Sequence, residues 1–240
     1  MLRPLLIAIQ FLTRLPMRLR QPPQGAEVAR SLPYYPLVGL LIGLFLAGWA
    51  WLIAALPASV QAVLVLTAWI LITGALHLDG LADSADAWLG GHGDRERTLA
   101  IMKDPYSGPA AVVVLILILL GKFTALQALL EAGAWPQLLL APLLGRTVLP
   151  LLFLTTAYVR EGGLGSALSQ QLSRPACLAS VLIGTAAALA LHGLWAVLAV
   201  TAVFLLLRAL MVKRLGGTTG DTAGALVEIT EAAVLIALLL

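Results

Sequence analysis

Charged residues and cysteine are both scarce in this chain. Asp, Glu, Lys and Arg make up 11% of its 240 residues, hydrophobic residues make up 60%, and Cys177 is the one cysteine. Because soluble domains carry about 25% charged residues, this composition excludes an ordinary soluble domain and predicts a polytopic membrane protein. A single cysteine excludes an internal disulfide. No zinc site is expected either, since the Cys-x-x-Cys and His-Glu-x-x-His motifs are absent.

Long apolar segments occupy most of the chain. A membrane-spanning helix needs about 20 apolar residues. Seven segments qualify: 34–56, 59–77, 108–130, 137–158, 176–192, 194–211 and 223–240. The sequence therefore predicts an all-α polytopic membrane helix bundle with about seven transmembrane helices, in one integral-membrane domain over residues 1–240. Residues 1–33 are predicted to form an interfacial N-terminal segment, with an interfacial or re-entrant helix at 4–15.

Basic residues fall on one side of these predicted spans. They precede the first span, lie in the connections after spans two and four, or flank the end of span six: Arg3, Arg14, Arg18, Arg20, Arg30, Arg95, Arg97, Lys103, Arg160, Arg174, Arg208, Lys213 and Arg214. The two remaining basic residues, Lys122 and Arg146, lie within spans. The opposite connections contain no Lys or Arg. Because basic loops stay in the cytoplasm, the N-terminus and the acidic loop 78–107 are predicted to be cytoplasmic.

Three carboxylates follow the second predicted span at i, i+4 and i+7. Asp79, Asp83 and Asp86 would lie within an arc of about 60° on one helix face. Like charges on one face repel each other unless a cation lies among them, and oxygen ligands suit Mg²⁺, which commonly also binds substrate phosphates. The pattern therefore favours a Mg²⁺-dependent phosphoryl-transfer site. The alternative is a solvated acidic helix end.

A Gly/Thr-rich segment opens the last predicted span. Gly217, Thr218 and Gly220 are candidates for an anion-binding loop at a helix start, and a flexible turn is the alternative. Asp221 follows, and Glu228 and Glu231 share its helix face within about 80°. Acids inside a span usually face the bundle interior or a water-filled cavity. We expect them in the site, or paired structurally with Lys122 or Arg146.

Other candidate phosphate-binding groups lie in the central loop and in the fourth span. Lys103 and Asp104 precede the turn Pro-Tyr-Ser-Gly-Pro at 105–109, where Asp104 could equally serve as an ordinary helix-start acid. The charged residues 94–97 could equally form a solvated turn. Arg146 lies near the middle of span four and needs an anionic partner, either an acid of the last span or a substrate phosphate.

These motifs together resemble the cobalamin-5′-phosphate synthase family, also called adenosylcobinamide-GDP ribazoletransferases. The resemblance covers nearly the whole chain, with its motifs in the same order. It rests on Phe-Leu-Thr-Arg-Leu-Pro at 11–16, His-Leu-Asp-Gly-Leu-Ala-Asp-Ser-Ala-Asp at 77–86, Asp-Arg-Glu-Arg at 94–97, Met-Lys-Asp-Pro at 102–105, Gly-Arg at 145–146 and Gly-Gly-Thr-Thr-Gly-Asp at 216–221 with Gly224, Glu228 and Glu231.

The resemblance implies a transferase of late cobalamin biosynthesis in the bacterial cytoplasmic (inner) membrane, with its site facing the cytoplasm. Adenosylcobinamide-GDP and α-ribazole, or its 5′-phosphate, would give adenosylcobalamin, or its 5′-phosphate, and GMP. Mg²⁺ is the expected cofactor, and one carboxylate or His77 would accept the hydroxyl proton. The expected metal ligands are Asp79, Asp83, Asp86 and Asp221. The expected catalytic residues are His77, Asp83 and Asp86. The expected substrate-binding residues are Lys103, Asp104, Arg146, Gly217, Thr218, Gly220, Glu228 and Glu231.

Two rival functions remain open from sequence. Asp79-Gly80-Leu81-Ala82 begins like the signature of CDP-alcohol phosphatidyltransferases, but Asp83 replaces the expected Arg. Intramembrane charges would also suit a secondary transporter, although no inverted repeat is visible. Membrane lipid is an expected partner and nucleic acid is not, and the sequence leaves a homo-oligomer open.

Overall fold

The computed structural model describes residues 2–17, 19, 21–160 and 164–240, without the side chain of Leu164. Arg18 and Arg20, used in the orientation argument, lie outside the described residues. The described chain is helical, and its one isolated β-bridge joins Tyr158 to Thr218.

Twelve α-helices are described. Their bounds are α1 Leu2–Leu12, α2 Gly25–Ser31, α3 Tyr35–Leu52, α4 Ala58–Thr73, α5 Leu76–Gly90, α6 Arg95–Ile101, α7 Pro109–Glu131, α8 Leu140–Thr155, α9 Leu164–Gln170, α10 Arg174–Ala190, α11 Leu194–Leu215 and α12 Gly220–Ala237. Short 3₁₀ turns at Leu32–Tyr34 and Trp135–Leu139 lead into α3 and α8. Proline in the first turn marks the start of α3, α7 and α10. A glycine in the left-handed conformation ends α4 at Gly74 and α11 at Gly216.

All seven predicted spans are helices in the structure, and the all-α membrane fold is confirmed. Among the described residues, four helical stretches are long and apolar enough to cross a membrane: Gly25–Leu52, Pro109–Glu131, Trp135–Thr155 and Leu194–Leu215. The pair α4 and α5 adds a fifth if it is counted as one bent span. The count of seven crossings and the cytoplasmic N-terminus stay predictions.

The chain turns sharply between α4 and α5. Gly74 and Ala75 have φ of 63° and 56°, which ends α4, and α5 leaves at 89°. Left-handed backbone is ordinary for glycine and uncommon for alanine. The acidic triad of α5 begins at Asp79, after the predicted span 59–77 has ended. The part of α5 that carries the triad therefore lies outside the spanning segments.

Helix α12 lies at the centre of the bundle. It packs against α5, α7, α8 and α11, and most of its side chains are buried. It carries two acids within its predicted span, Glu228 and Glu231, and both are buried in the protein interior rather than on a lipid-facing surface. A helix surrounded by other helices can carry polar groups because those helices supply their partners.

Candidate active site

Two glycines bring α5 and α12 into close contact. A Cβ atom at Gly80 would lie 2.7 Å from the carbonyl oxygen of Asp221, and one at Gly224 would lie 3.2 Å from the carbonyl oxygen of His77. Any larger residue at Gly80 would push the two backbones apart. The crossing therefore brings the acids of α5 close to Asp221.

A cavity of about 240 Å³ opens beside this crossing. Its polar end carries Asp79, Asp221 and Arg160, of which Asp79 is exposed and the other two are half-buried. Its inner end is buried and apolar, with Leu149 and Phe153 among its walls. The cavity therefore pairs charged groups at an accessible mouth with an apolar interior.

Like charges are crowded at the mouth of the cavity and beside it: Asp79 and Asp221 line the cavity, and Asp83 lies near them without lining it. Burial, followed by the charges of Asp79 and Asp221, raises the pKa of Asp83 from 3.8 to about 6. Burial also raises the pKa of Asp221, although Arg160 opposes the shift through an ion pair of 2.7 Å. One guanidinium is thus the nearby countercharge that both of these carboxylates share.

The carboxylates suit a metal that also binds substrate phosphate. No three His, Cys, Asp or Glu side chains among the described residues form a ready metal site. Within the same part of the chain, the carboxylates of Asp79 and Asp83 accept no hydrogen bond, so their oxygen atoms are free. Mg²⁺ is usually held by one or two carboxylates together with phosphate oxygens and water. The site fits that mode and does not form a complete cage of protein ligands.

Asp86 has a different environment from the other two acids of the triad. Its Oδ2 accepts a hydrogen bond from the Gly108 amide at 2.5 Å, and its Oδ1 accepts one from the Ala111 amide at 3.0 Å. These amides belong to the first turn of α7, where backbone donors lack helical partners. Asp86 therefore caps α7, and its metal-binding and catalytic roles stay predictions.

The Gly/Thr segment is mostly occupied by contacts within the protein. The Thr218 amide donates to Ala157, and the Thr218 carbonyl accepts from the Val159 amide, at 2.8 and 2.9 Å. Thr219 and Thr222 form a reciprocal capping box at the start of α12. A Cβ atom at Gly217 would collide with the Ala157 carbonyl oxygen.

Gly220 is the member of the predicted anion loop that lines the cavity, while Gly217 and Thr218 lie behind it. Substrate binding by these three residues stays a prediction. The structure brings only Gly220 to the cavity surface.

Four buried charges form an ion quartet of Lys122, Arg146, Glu228 and Glu231. Lys122 Nζ lies 2.5 Å from Glu228 Oε2 and 2.5 Å from Glu231 Oε2, and Arg146 pairs with Glu231. The structure therefore forms the ion pairs that the sequence left open as an alternative. Arg146, Glu228 and Glu231 do not line the cavity, and their predicted substrate contacts stay predictions.

His77 connects the ion quartet to the cavity. Its Nδ1 lies 3.5 Å from Arg146 Nη2, and the residue also lines the cavity. Arginine can only donate hydrogen bonds, so Nδ1 is the acceptor in this contact. That nitrogen faces Arg146 rather than the substrate.

Lys103 and Asp104 lie in the exposed loop between α6 and α7. Asp104 Oδ1 accepts a hydrogen bond from the Tyr106 amide at 3.0 Å, as in an Asx turn, and neither residue lines the cavity. Asp94 caps α6, and Arg95 donates to the last carbonyl of α11 at Leu215. The predicted phosphate contacts of Lys103 and Asp104 stay predictions.

Sequence reasoning missed Arg160 and Tyr158 as cavity residues. Arg160 entered the sequence argument only as a basic residue that marks orientation. The bridge between Tyr158 and Thr218 brings both residues beside the start of α12. Their separation from Asp221 along the chain contains no periodic signal, so the spacing alone could not identify them.

Comparisons with known proteins agree on one family. A family model described as cobalamin-5-phosphate synthase matches residues 4–239. The chain is 60% identical over 237 residues to the adenosylcobinamide-GDP ribazoletransferase of Pseudomonas putida (strain GB-1), covering 99% of this chain and 98% of that protein. It is 59% identical over 242 residues to that of Pseudomonas paraeruginosa (strain DSM 24068 / PA7), covering 100% and 98%. No solved structure matches the chain.

Proposed function

Because this chain belongs to the cobalamin-5-phosphate synthase family, we propose that it joins α-ribazole, or its 5′-phosphate, to the cobinamide of adenosylcobinamide-GDP and releases GMP. A ribazole ribose hydroxyl attacks the phosphorus attached to cobinamide, forming a new P–O bond. The anhydride bond to GMP breaks, and the hydroxyl proton passes to the protein. The product is adenosylcobalamin or its 5′-phosphate.

The observation that supports this proposal is the mixed charge at the cavity mouth. Asp79 of α5, Asp221 of α12 and Arg160 line one opening, and Asp83 lies close enough to all three for their charges to affect its pKa. A phosphoryl transfer needs positioning and charge neutralisation more than covalent protein chemistry. In this proposal Arg160 binds phosphate oxygens, and the carboxylates provide both metal ligands and a proton acceptor.

Asp79, Asp83 and Asp221 are the residues that would hold Mg²⁺. When bound, the ion would neutralise charge on the pyrophosphate and on the departing GMP. An oxygen atom of Asp79 or Asp83 that does not contact the metal accepts the hydroxyl proton. His77 is the weaker candidate for this step because its Nδ1 faces Arg146.

The test is a product assay on purified protein in detergent. Adenosylcobinamide-GDP, α-ribazole 5′-phosphate and Mg²⁺ are supplied with and without EDTA, and GMP and the corrinoid product are quantified together. We expect equal amounts of both products, and neither product in EDTA. Folded protein that releases no GMP would contradict the proposal. CDP-alcohol donors and solute uptake into proteoliposomes would then test the two rival functions.

A further inference from the structure

Two aromatic pairs line the cavity. Phe11 and Tyr35 stack with ring centroids 6.0 Å apart at 25°, and Phe153 and Tyr158 stack at 6.1 Å and 26°. All four line the same cavity, although they come from distant parts of the chain. We call these four residues the base site. Their rings offer flat apolar surfaces of the kind that stack on a planar heterocycle.

The base site has few polar groups. Tyr35 and Phe153 are buried, and Leu149 and Leu168 complete its apolar walls. Asp79, Asp221 and Arg160 line the other end, and Tyr158 connects the two ends because its hydroxyl lies beside Gly220, Arg160 and Asp221. A ligand that fills the whole cavity must therefore have an apolar aromatic end and an anionic or hydroxylated end, as an aromatic nucleoside does.

The size of the cavity restricts its occupant. Its volume of about 240 Å³ is below the roughly 300–1,000 Å³ of drug-sized sites. It can take a base with its sugar but not a corrin macrocycle. Guanine is also a poor fit because its edge carries several hydrogen-bonding groups that Leu149 and Phe153 could not satisfy. A benzimidazole-type base has a single ring acceptor and otherwise apolar edges.

We propose that the base site binds the aromatic base of the ribazole substrate and so determines which base enters the product. The proposal rests on the proposed function. The ribose hydroxyl is then directed towards Asp79 and Asp83, where the phosphoryl group is transferred. The corrinoid and guanosine parts of the other substrate lie outside the cavity mouth.

The ring of Tyr158 packs against Gly165 of α9, which also lines the cavity. A Cβ atom at Gly165 would collide with the Tyr158 ring. Gly165→Ala therefore displaces this ring and adds a methyl group to the cavity wall without changing any of the four base-site residues. It should reduce activity with a bulky base more than with a small one.

The main test compares Phe153→Leu with Phe45→Leu. Phe45 is an exposed phenylalanine of α3 outside the cavity, so it controls for the loss of a ring. The substrates are α-ribosides with a 5′-phosphate whose base is 5,6-dimethylbenzimidazole, benzimidazole or adenine. Loss of one stacking contact should raise KM for the benzimidazole substrates about 5- to 150-fold and leave KM for adenosylcobinamide-GDP within about twofold of wild type. Phe45→Leu should leave both KM values unchanged.

A second variant and a direct binding measurement distinguish a lost stacking contact from a misfolded protein. Phe11→Leu removes a ring from the other side of the base site. Calorimetric titration of the α-ribazole nucleoside, without corrinoid, into wild-type protein should show binding, and Phe11→Leu and Phe153→Leu should each weaken it. Nucleoside binding that both variants leave unchanged would overturn the proposal.

Different results would refute the base site and the proposed function. An active Phe153→Leu enzyme with unchanged base preference, or with a raised KM for adenosylcobinamide-GDP alone, would refute the base site and leave the proposed function intact. Wild-type protein that makes no corrinoid product would refute the proposed function and the base site together.

Discussion

Asp83 is the residue at which like charge is most concentrated. Its pKa is raised to about 6 by burial and by Asp79 and Asp221, so the ionised form is less favourable in the folded chain than in the unfolded one. Below about pH 4 Asp83 is protonated in both the folded and the unfolded state and causes no loss of stability. The loss grows between about pH 4 and about pH 6, and above that pH it is complete because Asp83 is ionised in both states. In metal-free protein at neutral pH, ionised Asp83 therefore lowers the free energy of unfolding.

Replacing Asp83 by Asn should separate catalysis from stability. We expect Asp83→Asn to lower kcat at least about 100-fold, since it removes a metal ligand or proton acceptor. In EDTA at pH 7.5 the apparent Tm should stay the same or rise, because one of several crowded charges is gone. The measurements are GMP release and thermal unfolding in detergent.

A matched control is Glu96→Gln. This exposed acid of α6 is also converted to its amide, but it does not line the cavity. Its turnover should stay close to wild type. Near-normal turnover in Asp83→Asn would contradict the assigned role, and so would a large loss in Glu96→Gln.

At the scale of elements, α12 is held by buried ion pairs. Each of their charged groups would destabilise the protein if it were buried without its partner. Lys122 of α7 contacts both glutamates of α12, and its Nζ also lies 4.7 Å from the Trp69 ring centroid of α4. The ion quartet has two positive and two negative members. A balanced buried cluster tolerates the loss of an opposite pair better than the loss of one member.

Removing the charge of Lys122 alone should therefore destabilise the protein more than removing it together with the charge of a partner. Lys122→Met should destabilise the protein by about 3–5 kcal/mol, because Glu228 is left buried without its cation. The double variant Lys122→Met/Glu228→Gln keeps the pair of Arg146 with Glu231 and should recover most of that loss. Thermal unfolding and yield from membranes measure both effects, and a double variant no more stable than Lys122→Met would contradict the account.

The crossing of α5 and α12 depends on Gly80. A methyl group there would meet the backbone of Asp221, with its carbonyl oxygen at 2.7 Å and its Cα at 3.0 Å, so one helix has to move. Gly80→Ala should cost about 1–3 kcal/mol and lower kcat about tenfold or more, because the acids separate. Gly48→Ala is the control, since a Cβ at Gly48 meets nothing within 4 Å. Equal activity of the two variants would argue against a tight crossing.

At the scale of the whole molecule, the distribution of basic residues predicts which loops face the cytoplasm. The measurement uses a Cys177→Ala background, since Cys177 is the one cysteine. Ala132→Cys places a thiol in the exposed connection after α7, and Glu96→Cys places one on α6. An impermeant maleimide should label position 132 in intact cells and position 96 only after permeabilisation. The reverse labelling would refute the orientation.

Several features of this protein follow from the sequence alone. The deficit of charge and the apolar segments determined an all-α membrane protein, because a lipid-exposed backbone must satisfy its hydrogen bonds within helices. The i, i+4, i+7 spacing placed Asp79, Asp83 and Asp86 on one helix, and α5 confirms this. The ordered motifs indicated the family, and the comparisons confirm it.

Only the tertiary structure decided which of these residues meet. It turned Asp86 to the start of α7, which it caps, and left Asp79 lining the cavity. It brought Arg160 to Asp221 through the bridge between Tyr158 and Thr218. It also paired the glutamates of α12 with Lys122 and Arg146. Periodicity reports which side chains share a face of one helix. Contacts between helices depend on crossing points and turns, such as those at Gly80 and Gly74, which no local pattern specifies.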